Sequence, residues 1–304
     1  MNTQNKHTGR GSFGKPRLLV VGCGDVGMRL LPLVRDRFRV FAVTSRPERA
    51  AELRAAGAIP VVADLDRPRT LKRLAGLARR VVHLAPPQQQ GALDLRTRNL
   101  TAILPEGAHV VYISTSGVYG DRGGLPTPET TPPAPRNARA ARRVDAERVL
   151  RAWALAARGR VAILRAPGIY AADRLPLERL QRGTPALDPA DDVYTNHIHA
   201  DDLAYLAALA LFRALPGRVY NASDDTRMKM GDYFDLVADA FGLARAPRLA
   251  RAELARQVSP LLLSFMSESR RLENARLGEL RARLRHPRVE SAVAAMAEAA
   301  RRAK

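Results

Sequence analysis

The sequence predicts an α/β fold: a doubly wound parallel sheet of about seven strands with a smaller C-terminal lobe. Three observations predict it. Short apolar runs alternate with helical patterns through the first two thirds of the chain. Glycines stand just before several of those runs, and a glycine-rich turn follows the first of them. After residue 223 the strand pattern stops, and mixed helix and loop continue to the end.

In chain order the runs are RLLVVG (17–22), RVFAVT (39–44), IPVVA (59–63), RVVHLA (80–85), HVVYIST (109–115), VAILRA (161–166) and RVYNAS (218–223). Runs of this length bounded by turn residues suit strands covered on both faces. Between them the spacing predicts helices over 26–37, 46–56, 67–78, 91–103, 138–158 and 201–214. Gly57, Gly107, Gly159 and Gly217 fall where helix-to-strand turns want them. The proline-rich stretch LPTPETTPPAPRN (125–137) cannot be helix or inner strand, so it reads as a loop. SESRRLENARLGELRARL (267–284) is helical in spacing, and VESAVAAMAEAARRAK (289–304) reads as a terminal helix. The expected organisation is a disordered segment over 1–16, a main domain over 17–225 that lends 167–190 to the lobe, and the lobe with its helical tail over 226–304.

Composition narrows the function classes. With 304 residues and 46% hydrophobic content the chain can bury a substantial core. Cys23 is the single cysteine, which excludes an intramolecular disulfide framework and a zinc-binding cysteine pattern. The polar first sixteen residues carry no signal-peptide pattern, and no run approaches the ~18–20 apolar residues of a membrane span. A bacterial-type cytoplasm is the expected location. The formal charge of +20 invites a polyanion partner, but it is spread along the chain without a recognised nucleic-acid-binding motif. It therefore reads as a solvated basic surface, with no specific nucleic acid and no membrane as partner.

The strongest local signal is VVGCGDVGMRL (20–30), which places Gly22, Gly24 and Gly27 in GxGxxG spacing between a strand and a helix. Such glycines allow the tight turn, the approach of backbone to a pyrophosphate and close helix–strand packing. Amides at Asp25 and Val26, with the positive end of the helix dipole, would complete a phosphate cradle. The pattern predicts a dinucleotide in a Rossmann domain. The alternative is a glycine-rich turn without a ligand, with Cys23 as a small packing residue.

The second strand should end beside the adenosine ribose. NAD binders place a carboxylate there, whereas this chain reads AVTSRPER (42–49). Ser45 and Arg46 would attract a 2′-phosphate, which favours NADP over NAD. Arg46 could instead be a solvated helix-start residue. Asp64 ends the third strand, where it could accept from the adenine amino group or cap the next helix.

On these residues the chain resembles the extended short-chain dehydrogenase/reductase superfamily, in its NAD-dependent epimerase/dehydratase group. The resemblance rests further on HLAPP (83–87), STSGVYG (114–120), LRAPGIYAADRLP (164–176), NHIHADDLA (196–204) and VYNASDD (219–225). It covers roughly 17–225, and the tail SESRRLENARL resembles an atypical subgroup. It implies that Leu84, Ala85 and Pro86 border the cofactor and that Thr115 is the hydroxyl that orients the substrate. Family dimers often pair through the helices after the fourth and fifth strands, here 91–103 and 138–158, so a homodimer is an expectation too.

The resemblance also implies a Tyr-x-x-x-Lys pair on the helix after the fifth strand, with a glutamate four residues beyond the lysine. Registering PRNARAARRVDAE (135–147) on Glu147 puts Arg143 at the lysine position and Arg139 at the tyrosine position. Arginine cannot act as a general acid–base at neutral pH. Arg143 could still bind a ribose hydroxyl, and Arg139 could grip a carboxylate or phosphate. The rival view is a solvated charged face. Tyr119 and Tyr170 are the candidate substitute phenols, beside water, with packing against the loop as the favoured reading of each.

NHIHADD gathers His197, His199, Asp201 and Asp202, but without a known metal-ligand spacing, so no metal is expected. His7, His109 and His286 carry no recognisable chemistry. Two functions follow: an NAD(P)-dependent oxidoreductase or epimerase with an altered site, acting on a small, anionic molecule, or a dinucleotide-binding sensor or partner-binding protein without turnover.

Overall fold

The computed structural model describes residues 14–303. Residues 1–13 of the expected disordered segment lie outside the described residues. Seven parallel strands form the main sheet: Arg17–Val21, Arg39–Thr44, Ile59–Val62, Arg80–His83, His109–Thr115, Arg160–Ala166 and Val219–Asn221. Numbered in chain order, they lie seventh, sixth, fifth, fourth, first, second, third across the sheet. The order reverses between the first and fourth strands, so a crevice opens beyond their carboxyl ends.

Alternation along each strand explains the apolar runs. Leu18 and Val20 pack on one face with Leu30, Leu31 and Val34, from the helix Asp25–Val34, and with Leu203 and Leu206 of the helix Ala200–Arg213. Leu19 and Val21 pack on the other face with Leu71, Leu100, Ala146 and Leu150. Both faces are therefore buried and the strand interiors are mainly apolar, with buried polar side chains such as His83, Ser114, Arg165 and Asn221 among them.

Two predicted helices are corrected. Over 67–78 only a 3₁₀ segment forms, Pro68–Leu74, because Thr70 turns its hydroxyl back to the Asp64 and Arg67 carbonyls. The stretch 267–284 is not one helix. Its amides and carbonyls instead serve the loop 120–127: Arg122 and Gly124 donate to the Ser269 carbonyl, and Arg271 and Glu273 donate to Leu125 and Thr127. Only a two-residue strand, Arg271–Leu272, and a 3₁₀ segment, Ala275–Leu280, remain. The partner of that strand is Pro126–Thr127, so the proline-rich loop carries a short parallel bridge.

The lobe has its own core. Tyr170, Leu180 and Leu187 pack there with Phe234 and Val237 of the helix Met230–Phe241 and with Val289 and Val293 of the terminal helix Val289–Arg302. Leu277 and Leu280 belong instead to the sheet's core and tie the tail to the main domain. Among the described residues no helix is long and apolar enough to cross a membrane.

Candidate functional site

The turn after the first strand is built for close approach. At Gly22 (φ +83°) a Cβ would stand 2.5 Å from the Ala85 amide nitrogen, so the turn lies directly on the end of the fourth strand. A Cβ at Gly27 would meet Cys23 Sγ at 3.0 Å and Leu84 Cδ1 at 3.2 Å. Gly24 differs. A Cβ there meets nothing within 4 Å, so the protein itself does not demand a glycine at this exposed position. The open space in front of Gly24, at the start of the helix Asp25–Val34, is where a phosphate could approach the backbone.

A cleft runs past this turn in two connected stretches that share Gly22 and Gly24. The first, about 250 Å³, is lined by Ser45, Arg46, Asp64, Ala85 and Pro86. The second, about 280 Å³, is lined by Asp25, Val26, Gly27, Leu84, Thr115 and Arg143. A further cavity of about 240 Å³ continues from Thr115 and Pro167 to Arg139, Tyr194 and Arg270. The sequence-predicted cofactor residues are thus brought to one cleft, and Thr115 stands at its junction with the cavity beyond.

Two arginines of the first stretch escaped the sequence reading. Arg49 donates to the Cys23 carbonyl at 2.5 Å and holds Glu52 through Nε and Nη2 at 2.8 and 2.9 Å. Arg96 grips Asp66 at 2.6 and 2.8 Å and donates to the Pro86 carbonyl. Arg49 was visible at the end of AVTSRPER, three residues beyond Arg46; Arg96 carried no signal. Asp64 accepts the Asp66 amide at 2.9 Å, which fixes its carboxylate at the cleft wall.

The arginine helix, Ala138–Ala156, starts at Asn137, whose side chain accepts the Ala140 amide. Arg143 donates through Nη1 to the Tyr112 hydroxyl and the Ile113 carbonyl, both at 2.9 Å. Its guanidinium is thereby fixed at the cleft, at the position the resemblance gives to lysine. Arg139, one turn earlier, lines the cavity beyond. Burial and the neighbouring Arg143 and Arg142 depress its pKa, while Glu268 opposes the shift. The pair is therefore divided between two adjoining spaces. Arg270, bonded to the Gly120 carbonyl at 2.6 Å, also lines the cavity as an ion pair with Glu268 at 2.7 Å, so the carboxylate in the same wall offsets part of its charge.

Both candidate substitute phenols are packed in the interior, as the alternative reading has them. Tyr119 is fully buried, donates to Asn221 Oδ1 at 2.7 Å and lies under the Arg165 guanidinium. Tyr170 is 2% exposed and packs edge-on against His197 and His199 inside the lobe. Neither lines the cleft, because the 3₁₀ segment Ser116–Tyr119 and the short strand Gly168–Tyr170 turn these rings inward. The phenol that does line the cavity is Tyr194, which the sequence reading missed. A two-residue strand pair with Met228–Lys229 brings it there, and the Arg271 guanidinium covers its ring at 5.3 Å.

NHIHADD is structural in its hydrogen bonding. His199 Nδ1 caps the helix Ala200–Arg213 by accepting the Asp201 amide, and Asp201 accepts from Arg29 at 2.7 Å. The Asp202 carboxylate accepts the amides of Arg285 and His286, which stacks His286 on His199 at 3.9 Å. Donor atoms of His199, Asp201 and His286 lie within 4.8 Å of one another, so the fold assembles a metal-like grouping that the sequence spacing does not reveal. His199 Nδ1 and one Asp201 oxygen are already engaged in the bonds above.

The profile of the NAD dependent epimerase/dehydratase family matches residues 18–223. The chain belongs to this family. No curated protein matches it. Among solved structures, a functionally unknown conserved protein from Silicibacter pomeroyi is 26% identical, with a TM-score of 0.75 over 94% of this chain and 99% of that one. The UDP-glucose 4-epimerase of Thermotoga maritima, solved with UDP-glucose, is 17% identical, with a TM-score of 0.74 over 94% and 99%. That of Thermus thermophilus, solved with NAD, is 21% identical, with a TM-score of 0.72 over 95% and 100%. These epimerase/dehydratase likenesses establish the fold: a Rossmann-type sheet with a second lobe.

Proposed function

We propose that the chain is an NAD(P)-dependent oxidoreductase or epimerase acting on a small anionic molecule through an altered proton-transfer site. The observation that carries this reading is the junction at Thr115 and Pro167, which lines both the cleft and the arginine-bearing cavity. A bound nicotinamide cofactor would supply hydride chemistry at that junction. Gly22, Gly24 and the following helix start would hold its pyrophosphate, and Arg143 its ribose. Ser45 and Arg46, with no carboxylate at the end of the second strand, favour NADP. Thr115 orients the substrate, Arg139 and Arg270 hold its carboxylate or phosphate, and Tyr194 holds the proton to be exchanged.

The test is NADPH consumption against a panel of carbonyl acids and phosphates, read beside calorimetry. Tyr194→Phe should lower kcat by ~10²–10⁴ with little change in KM, the usual worth of a positioned acid–base. Arg139→Ala should weaken the anion by ~1.5–3 kcal/mol and leave NADPH unchanged, whereas Arg143→Ala should weaken NADPH. If both arginine variants bind both ligands as the parent does, the pair is a solvated face and the reading fails.

A second reading, a sensor that binds nucleotide and anion without turnover, is favoured by the burial of Tyr119 and Tyr170. Binding of NADPH and an anion with no hydride transfer across the panel decides for it.

A further inference from the structure

The edge of the sheet opposite the cleft carries a row of cations. Four of its strands begin on arginine, at Arg17, Arg39, Arg80 and Arg160, and a fifth begins on His109. Register sets Arg17 opposite Arg39 and His109 between Arg80 and Arg160, whereas Arg80 stands opposite Leu18 and donates to the Leu211 carbonyl. Adjacent strands lie ~4.8 Å apart, so the five starts form a strip of about 19 Å. Lys15, Arg35, Arg37 and Arg79 add exposed charge from the turns beside it. An open groove of about 710 Å³ at one end of the strip is lined by Lys15, Arg17, Arg35 and Arg39, with no carboxylate in its wall.

The fold does not neutralise this row. Among the described residues, Glu106 pairs with Arg158 and Glu279 with Arg218, but no carboxylate comes within 4 Å of the four strand-start arginines. Asp36 is the other acid in these turns and is exposed. Like charges side by side on neighbouring strands destabilise a sheet. Burial, with Arg80 and Arg160 beside it, pushes the pKa of His109 down to about 4, so at neutral pH it is an uncharged spacer and the arginines and Lys15 carry the charge. Such a row costs stability unless an external polyanion compensates it.

We propose that this edge is a sequence-independent docking surface for the phosphate backbone of a nucleic-acid duplex. A duplex carries one phosphate per ~3.4 Å along each strand, so a strip of about 19 Å faces five or six of them. Binding of unpaired bases would need exposed aromatic platforms. The edge offers one half-exposed ring, Phe212, and the guanidinium groups of Arg37 and Arg80 already lie over it. Backbone contact without base readout is what remains. DNA and RNA duplexes share that chemistry, and the surface is independent of the cleft and of the reaction proposed for it.

Fluorescence anisotropy of the full chain with labelled duplex DNA and duplex RNA, each in two unrelated sequences, tests the proposal. The logarithm of affinity should fall with the logarithm of salt at a slope of about −4 to −6, equally for both sequences. The triple variant Arg17→Gln, Arg39→Gln, Arg160→Gln should flatten that slope by about three and weaken binding on the order of 10–100-fold at moderate salt. A control with the same loss of charge, Arg182→Gln, Arg227→Gln, Arg256→Gln on exposed lobe positions, should stay near the parent. Each single edge variant should flatten the slope by about one, which keeps the test open if the triple variant unfolds. The stronger of the DNA and RNA arms identifies the source. Equal losses in the edge and lobe variants would reduce the effect to net charge and overturn the proposal. Polyglutamate competing as well as a duplex of equal charge would overturn it in favour of an acidic protein. Tighter binding of single strands than of duplex would overturn it as well.

Discussion

Glu147 and Arg165 meet as an ion pair at 2.7 Å, each side chain 4% exposed, with the Ser114 hydroxyl donating to the same carboxylate. The glutamate that registers the arginine helix is thus an internal brace between that helix and the sixth strand. Glu147→Ala should destabilise the fold by about 3–5 kcal/mol, because it strands a buried guanidinium. Replacing both partners with Leu and Met should recover most of that loss. Urea denaturation of the three proteins checks both statements.

The two glycines of the turn should fail differently. Gly24→Val should leave the melting temperature near the parent's and abolish dinucleotide binding, since its side chain projects into open space in the cleft. Gly22→Val should destabilise the protein itself, because the Cβ would collide with the backbone of Ala85 and the positive φ is strained for valine. Thermal melts read beside NADPH titration separate the cases. Normal nucleotide binding by a folded Gly24→Val variant would reduce the motif to a turn.

NADPH should bind more tightly than NADH, and Arg46→Ala should narrow the gap by about 1.5–3 kcal/mol, the worth of hydrogen bonds to a charged group. Equal calorimetric affinities in the parent protein would remove the basis for the NADP assignment.

Asp224 sets a pH dependence. It is 4% exposed, and burial raises its pKa to about 7 from 3.8, although the Thr226 amide donates to one oxygen. A raised folded-state pKa means that the native protein holds the proton more tightly than the unfolded chain. Its stabilising contribution is full below about pH 4 and is lost as pH rises through 7. Buried His83 and His197, depressed to about 3 and 4 chiefly by burial, act in the opposite sense below pH 6.5. Comparison with Asp224→Asn isolates the carboxyl. Relative to the parent, the variant should gain about 2–3 kcal/mol between pH 5 and pH 8, read from urea midpoints. A difference that stays constant with pH would refute the assignment.

What the sequence disclosed follows from range. Strands buried on both faces must be apolar throughout, so the run Leu18–Val21 announces itself, and the glycine turn is a local requirement of one backbone geometry. Arg143 and Arg139 were legible through the register that the resemblance sets on Glu147, with helical spacing placing residues four apart on one face. Tyr119 and Tyr170 were misplaced because burial is decided by distant partners, Asn221 for one and the lobe core for the other. Tyr194 stayed hidden because it reaches the cavity through a strand pair with Met228–Lys229, about 35 residues away. The helical spacing of 267–284 lost to hydrogen bonds with a loop about 150 residues earlier.

The bond from Arg49 to the Cys23 carbonyl ties the end of the second strand to the turn after the first. With Glu52 fixing the other edge of the guanidinium, the side chain occupies one rotamer before any nucleotide arrives. About 2 kcal/mol of rotamer entropy has therefore been surrendered during folding, and binding does not surrender it again. Two walls of the cleft are held at a fixed spacing, so for the cofactor of the proposed function the first stretch would be a template cast in advance of its occupant.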